Sequence, residues 1–429
     1  MTTSASTSPA SSSALDLDWA RSWFPALDGR HDGAFFENAG GSYPCRPTIE
    51  ALTQYYLDTK VQPYAPYGPS RDGGAAMDAS RLRWAAALGV ETDDVSFGPS
   101  TSANTYALAQ AMAAVLGPGD NVVVTNQDHE ANTGAIRREA ERAGATVLEW
   151  RIDPDTGLLA LDDLADLLSV AGRTRVVTMP HCSNIVGMEN PVAEAAAMAH
   201  QAGARIVVDG VSFAPHGLPD VAALGVDAYL FSLYKVYSVH QGVFVTRNGL
   251  LDELPNQGHG FNATVAARRL TPAGPDHAQE AAAGAVLDYV EASHRHHTGT
   301  EAADLRHAMA DATRRWQAHE AALLAPLLDW LAARSDVRVL GPIAPGSEAD
   351  GRHRCPTVAF VPATHEPDAV ARQLGERGVW CGAGTFYAPR VIEGMGEDVE
   401  RGVVRLSFVH YTSEAEVDRA LTALEAVLS

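Results

Sequence analysis

The sequence predicts an α/β fold: a mainly parallel, seven-stranded-type sheet with helices on both faces, followed by a smaller α+β domain. Three observations carry this reading. Short, apolar, β-branched runs alternate with helical segments from about residue 75 onward, the pattern of a parallel sheet covered on both sides. From about Gln279 the chain turns Ala-rich and helical before new strands appear. At 429 residues it is also too long for one simple core.

Taken in order, residues 1–15 (MTTSASTSPASSSA and the next residue) are small and polar, and are expected to form a disordered tail. They have neither a basic start nor an apolar stretch, so they do not read as a secretory signal. GAFFENAGGSYP (33–44) predicts a short strand running into a glycine turn. AAMDASRLRWAAALG predicts a helix stopped by Gly89. DDVSFGPSTSANTYALAQAMAAVL predicts strand, polar turn and helix. NVVVTNQ, TVLEWRI, RTRVVTMPHCSN (with a polar end), RIVVDG (205–210) and DAYLFSLYK (227–235) predict strands, with IRREAERAGA and VAEAAAMAHQAGA as intervening helices. GVFVTR follows DAYLFSLYK so closely that the two are expected to pair antiparallel. The long Ala-rich stretch after Gln279 predicts helices. VRVLGP, CPTVAFVP and RGVVRLSFVHY predict strands of the second domain, closed by the helix SEAEVDRALTALEAVLS. The expected domains are 16–285 and 286–429, with the N-terminal segment able to pack on the smaller one.

Composition narrows the function. With 53 acidic and 32 basic residues the formal charge is -21, which repels phosphate backbones and anionic membranes. No apolar run reaches the length of a membrane span. Cys45, Cys182, Cys355 and Cys381 lack C-x-x-C spacing and fit reduced thiols in a cytoplasm.

The polar ends of the predicted strands carry the chemistry, because ligands in open α/β sheets sit at the carboxyl ends of strands. GPSTS (98–102) places Ser100 and Thr101 at a helix start, where backbone N–H groups attract anions; both are also ordinary capping residues. His129, in DHEAN, ends another strand and is able to stack on an aromatic ring. Asn184, in PHCSN, offers an amide, and equally suits a turn. Asp209 ends the apolar strand VVD, a costly place for a carboxylate without a cationic partner. A protonated pyridine nitrogen would be such a partner, and it makes the ring an electron sink. No second acidic residue lies nearby in sequence to complete a metal site. Lys235 ends DAYLFSLYK, where burial lowers an amine's pKa and makes it a nucleophile and base. Ser232 and Tyr234 add hydroxyls beside it. Asp209 and Lys235 are about 26 residues apart, one unit of a parallel sheet, so both fall on the same rim. No convincing G-x-G-x-x-G follows an early strand, which counts against a nicotinamide enzyme.

The segments D-H-x-A-N, S-N-x-x-G-x-x-N-P, V-D-G and S-x-x-K occur in that order. With them the chain resembles the class V aminotransferases, and within these the cysteine desulfurase and selenocysteine lyase branch. The resemblance runs from FFENAGGS to the C-terminus. It implies the pyridoxal-phosphate fold type I, a homodimer with active sites near the interface, and pyridoxal 5′-phosphate held as a Schiff base on Lys235. Asp209 matches the residue paired with the ring nitrogen, and His129 the stacking histidine. Asn184 and Ser212 match positions near the phenolic oxygen. Ser100, Thr101, Ser232 and Tyr234 match the phosphate site. Arg405 matches the arginine that binds the substrate carboxylate, and Asn38 and Tyr387 fall at substrate positions. TPAGPDHAQ (271–279) is the segment matched to the partner chain's contribution, though it departs from the usual motif.

The loop GVWCGAGTFYAPRVIEGMG (378–396) departs most. Phe386 stands where desulfurases carry their nucleophilic cysteine, and Cys381 lies earlier. NAGGS and G-x-x-Y-A resemble a desulfurase-like subgroup without that cysteine. The resemblance therefore implies an enzyme acting at an amino acid's α-carbon through an external aldimine and carbanion. A lyase cleaving a β- or γ-substituent (C–S or other), or a related biosynthetic carbon-centre reaction, ranks first. A desulfurase using Cys381, and an aminotransferase or epimerase, are the alternatives. A non-catalytic scaffold ranks below both, because Lys235, Asp209 and Arg405 are all present.

Overall fold

The computed structural model describes residues 14–274, 276–343 and 352–429. The expected tail lies almost wholly outside these residues. Leu15 already packs against the core, and Asp16 caps the first helix, Leu17–Arg21, by accepting the Trp19 N–H.

A short strand β1 (Ala34–Phe35) is followed by seven that form the central sheet: β2 (Val95–Gly98), β3 (Asp120–Thr125), β4 (Thr146–Trp150), β5 (Arg173–Pro180), β6 (Arg205–Asp209), β7 (Ala228–Ser232) and β8 (Gly242–Thr246). Their order is β2-β8-β7-β6-β5-β3-β4. Only β8 runs antiparallel to its neighbours β2 and β7; the other pairs are parallel. The expected antiparallel β7–β8 pair is therefore present. β2, β3, β7 and β8 are buried at every position, which is why they read as apolar runs rather than alternating ones.

The helix expected from about residue 75 in fact spans Gly68–Leu88 and ends at Gly89 in the left-handed region. Its first turns looked non-helical because of Gly73 and Gly74. A Cβ there would sit 2.9 Å from the Tyr55 Oη and 2.7 Å from the Tyr64 ring, so close packing outweighs helix propensity.

The Ala-rich stretch becomes two helices, His277–Ala282 and Val286–Thr298, joined by one tight turn. A 28-residue helix, Leu305–Ala332, follows. The C-terminal sheet contains β9 (Val337–Val339), β10 (Thr357–Pro362), β12 (Gly382–Gly384) and β13 (Val403–Ser407), in the order β12-β13-β10-β9. Between them β11 (Val379–Trp380) pairs in parallel with β1, and Glu37 bridges Ser407. The N-terminal segment is thus stitched to the C-terminal sheet. That sheet has its own apolar core, built from Phe36, Leu327, Phe360, Val404 and Phe408 among others.

Candidate active site

The carboxyl ends of the central strands converge on one cavity of about 500 Å³, lined among others by Glu37, His129, Asn184, Tyr234, Lys235, Phe386, Tyr387 and Arg405. A larger hollow lined by Arg173, Arg175 and Arg205 does not compete as a catalytic site. Two of its cations are already paired, Arg173 with Asp120 and Arg205 with Asp227.

Lys235 reaches the cavity because β7 ends at Ser232 and one 3₁₀ turn, Leu233–Lys235, carries the chain off the sheet. Its side chain is buried. Burial, reinforced by Arg405 and opposed by Asp209, brings its amine down to about 8. Asp209 ends the adjacent strand β6, paired in register with Pro180 and Leu230. It accepts the Val211 N–H at 2.8 Å, and burial raises its carboxyl to about 6 against the pull of that bond and Lys235.

His129 caps the helix Glu130–Arg142: its Nδ1 accepts the Ala131 N–H at 3.0 Å. Burial, with Lys235 and Arg405 nearby, lowers it to about 3, so the ring is neutral. The preceding Asp128 fixes this loop by accepting from Thr125 and Asn132, each at 2.6 Å. Asn184 donates to the Phe386 carbonyl at 2.9 Å. Its own Oδ1 is buried without a partner among the described residues. Thr101 and Ser232 share a hydrogen bond of 2.8 Å at the start of the helix Thr101–Ala113, where Ser100 is the cap and accepts the Ala103 N–H.

Arg405, 3% exposed, projects from β13. It pairs with Glu37 at 2.5 Å, touches the Asn184 carbonyl at 3.3 Å and lies 3.8 Å from the centre of the Phe386 ring. Phe386 and Tyr387 are consecutive non-glycine residues at positive φ, 49° and 58°, an arrangement that needs support from its surroundings. Three contacts supply it: Asn184 on the Phe386 carbonyl, the Glu130 N–H on the Tyr387 carbonyl at 2.7 Å, and an Arg390–Glu130 ion pair. Tyr387, 74% exposed, brings its ring within 5.4 Å of His129.

One expectation needs correction. Asn38 does not face the cavity: it is buried, accepts from the Tyr411 hydroxyl and donates to the Ser407 and Phe35 carbonyls. The bridge from Glu37 to Ser407 turns the preceding side chain inward instead. Ser212 follows the turn at Gly210, whose carbonyl accepts the Phe213 and Ala214 N–H groups, and like Asp209, Thr101 and Ser232 it lies outside the lining of the cavity itself. Cys381 packs against the C-terminal core, where burial raises its thiol to about 12. Sequence reasoning missed Glu37 and the lining role of Phe386. The available signal for Glu37 was a carboxylate between the apolar FF and the glycines of NAGG.

These residues fit a phosphorylated, cationic heteroaromatic ring. A buried carboxylate holding one hydrogen bond suits a pyridinium. Asn184 Oδ1 is an orphaned buried acceptor, and the helix start with its hydroxyl pair suits a phosphate.

The family model for aminotransferase class-V matches residues 34–420. An aminotransferase-like protein, FGM3, of Gibberella zeae is 32% identical, over 97% of this chain and 100% of that protein. A cysteine desulfurase of Cronobacter sakazakii is 29% identical, over 96% and 98%. The solved apo structure of a cysteine desulfurase from Thermococcus onnurineus NA1 superposes with a TM-score of 0.81 at 22% identity, covering 96% of this chain and 98% of that one. The cofactor that the site accommodates is pyridoxal 5′-phosphate, and the fold is the type I fold of pyridoxal-phosphate enzymes. This chain belongs to the class V aminotransferase family.

Proposed function

We propose that the chain is a lyase that acts at the α-carbon of an amino acid and releases a β- or γ-substituent. The observation that carries this reading is the cavity wall. Lys235 and Arg405 line the reaction space, with Asp209 buried behind Lys235 at the end of the adjacent strand, while the position matched to a desulfurase nucleophile carries the phenyl ring of Phe386.

In this reading Asp209, Lys235, Asn184 and the Thr101–Ser232 hydroxyls hold the cofactor, with the neutral His129 ring stacked on it. The bound cofactor supplies an electron sink for charge developing at Cα. Arg405 binds the substrate carboxylate, as a guanidinium suits two parallel hydrogen bonds. The Lys235 amine takes the Cα proton, and the ammonium so formed gives a proton to the departing substituent. With its pKa brought down to about 8, about a tenth of it is neutral at pH 7, enough for general base work. Asp209 keeps the proton on the ring nitrogen. Tyr387 and Phe386 wall the space from solvent.

The names of several relatives favour cysteine desulfuration instead. The position of Cys381 in the C-terminal core, outside the cavity lining, counts against it. A panel of L-amino acids and S-substituted cysteines, assayed for sulfide, ammonia, pyruvate and other keto acids, separates the readings. Ammonia and keto acid without sulfide from free cysteine supports the lyase. Sulfide or persulfide from free cysteine supports the desulfurase. A keto acid formed only with an amino acceptor supports transamination.

The proposal includes a homodimer. Tyr56, Leu57, Tyr64, Tyr67 and Phe261 are exposed, and the Tyr56 hydroxyl donates to Asp276 within the 271–279 segment at 3.2 Å. Four unpaired cysteines support a reducing, cytoplasmic setting. No helix among the described residues is long and apolar enough to cross a membrane.

A further inference from the structure

We propose that Glu37 is the positioning residue for the carboxylate grip: it holds one edge of the Arg405 guanidinium so that the opposite edge stays aimed at the substrate. This rests on the reading of Arg405 as the carboxylate-binding residue.

The argument starts from what surrounds Arg405. Its guanidinium is buried at the cavity wall, with Phe386 over one face. Apart from Glu37 its polar contact is the long one to the Asn184 carbonyl. A guanidinium so placed, without a carboxylate, is free to turn and costly to keep charged. Glu37 Oε1 meets Nη2 at 2.5 Å. The other members of the two groups, Oε2 of Glu37 and Nε of Arg405, are both buried with no partner among the described residues. Nε and Nη2 share one edge of the guanidinium, the edge that a carboxylate can meet with both oxygens.

The second observation is the slot that holds the carboxylate. A Cβ on Gly40 would lie 2.9 Å from Oε1, and a Cβ on Gly382 would lie 2.8 Å from Oε2. Neither place tolerates a side chain while Glu37 sits there. The two glycines come from opposite ends of the chain, one beside Glu37 and one in β12, next to Arg405 in the register of β13. Both carboxylate oxygens thus occupy space that two glycines leave clear.

A positioning role makes a prediction that a packing role does not. Loss of Glu37 should weaken ligands in proportion to their use of Arg405. The test uses the pyridoxal-phosphate-loaded protein and the amino acid that most perturbs cofactor absorbance in the panel above, compared with its own α-carboxamide. Glu37→Gln and Glu37→Ala should weaken the amino acid by about tenfold and the amide by less than about twofold. The loss should fall more on KM than on turnover number, and Glu37→Asp should restore part of the affinity. In an Arg405→Ala background, Glu37→Ala should add less than about a twofold effect, the coupling expected of one unit. Equal weakening of acid and amide would reduce Glu37 to packing and overturn the proposal. Tighter binding of the acid in Glu37→Gln would also overturn it, by making Glu37 a competitor for Arg405. If no amino acid perturbs the absorbance of the wild-type protein, the reading of the site itself fails, and this proposal fails with it.

Discussion

In the proposed reading, the wall that faces the cofactor takes Asp209 and Lys235 from the ends of successive strands β6 and β7, whereas the wall that faces the substrate takes Glu37, Phe386 and Arg405 from three segments remote in sequence. Glu37 and Arg405 are 368 residues apart. In the first wall each side chain follows from a local rule: an apolar parallel strand, then a polar residue at its carboxyl end. In the second, no local rule fixes the geometry. It arises only when β1 pairs with β11 and Glu37 bridges Ser407. The two walls should therefore fail differently when altered, one losing the cofactor and the other losing substrate affinity.

The largest effect is expected at Lys235. Lys235→Ala should abolish the visible-edge absorbance of bound pyridoxal phosphate and lower turnover by at least about a thousandfold, as removal of a covalent and acid–base group does. The absorbance spectrum of the purified variant checks this. Persistence of an unchanged band would move the lysine assignment elsewhere and dissolve the contrast between the walls.

That contrast also explains what was legible. The central sheet, its antiparallel β7–β8 pair and the Asp209–Lys235 juxtaposition were readable, because buried parallel strands leave long apolar runs with polar ends. Strand order was not, since β8 lies between β2 and β7 through long-range pairing that no period reports. Asn38 rests on the family resemblance alone, and the sequence does not show which of two neighbouring polar residues, Glu37 or Asn38, reaches the cavity. Phe386 was read as a missing cysteine. Its aromatic face over Arg405 depends on two consecutive left-handed residues, held by contacts from Asn184 and Glu130.

Arg405→Ala tests the second wall. It should raise KM for an α-carboxylate substrate by about tenfold to a hundredfold while leaving cofactor absorbance in place. Steady-state kinetics on the best substrate of the panel would show it. An unchanged KM would mean that the carboxylate is held elsewhere, and would also remove the basis for the role given to Glu37.

A smaller, graded effect should appear with pH. If Lys235 holds the cofactor as proposed, its neutral amine is the form that captures the aldehyde, and burial brings its pKa down to about 8 from an ordinary 10.5. Capture by the apo protein should therefore accelerate by up to about tenfold per pH unit below 8 and level off above it. Asp209 opposes that lowering, so Asp209→Asn should shift the break to lower pH. Stopped-flow absorbance across pH 6–10 reads both. A break that stays near 10.5 would mean that Lys235 is solvated in the apo protein.

The smallest effect is expected at Cys381, which belongs to neither wall. Its thiol packs against the C-terminal core and is raised to about 12 by burial and by Glu37. Since the thiolate is the nucleophile, only about one thiol in 10⁵ would be reactive at pH 7. Cys381→Ser should accordingly leave turnover within about twofold, measured on the same substrate as Arg405→Ala. Complete loss of sulfide release from free cysteine in that variant would show that the loop rearranges to bring the thiol to the cavity, and persulfide chemistry would then replace elimination as the reaction of this site.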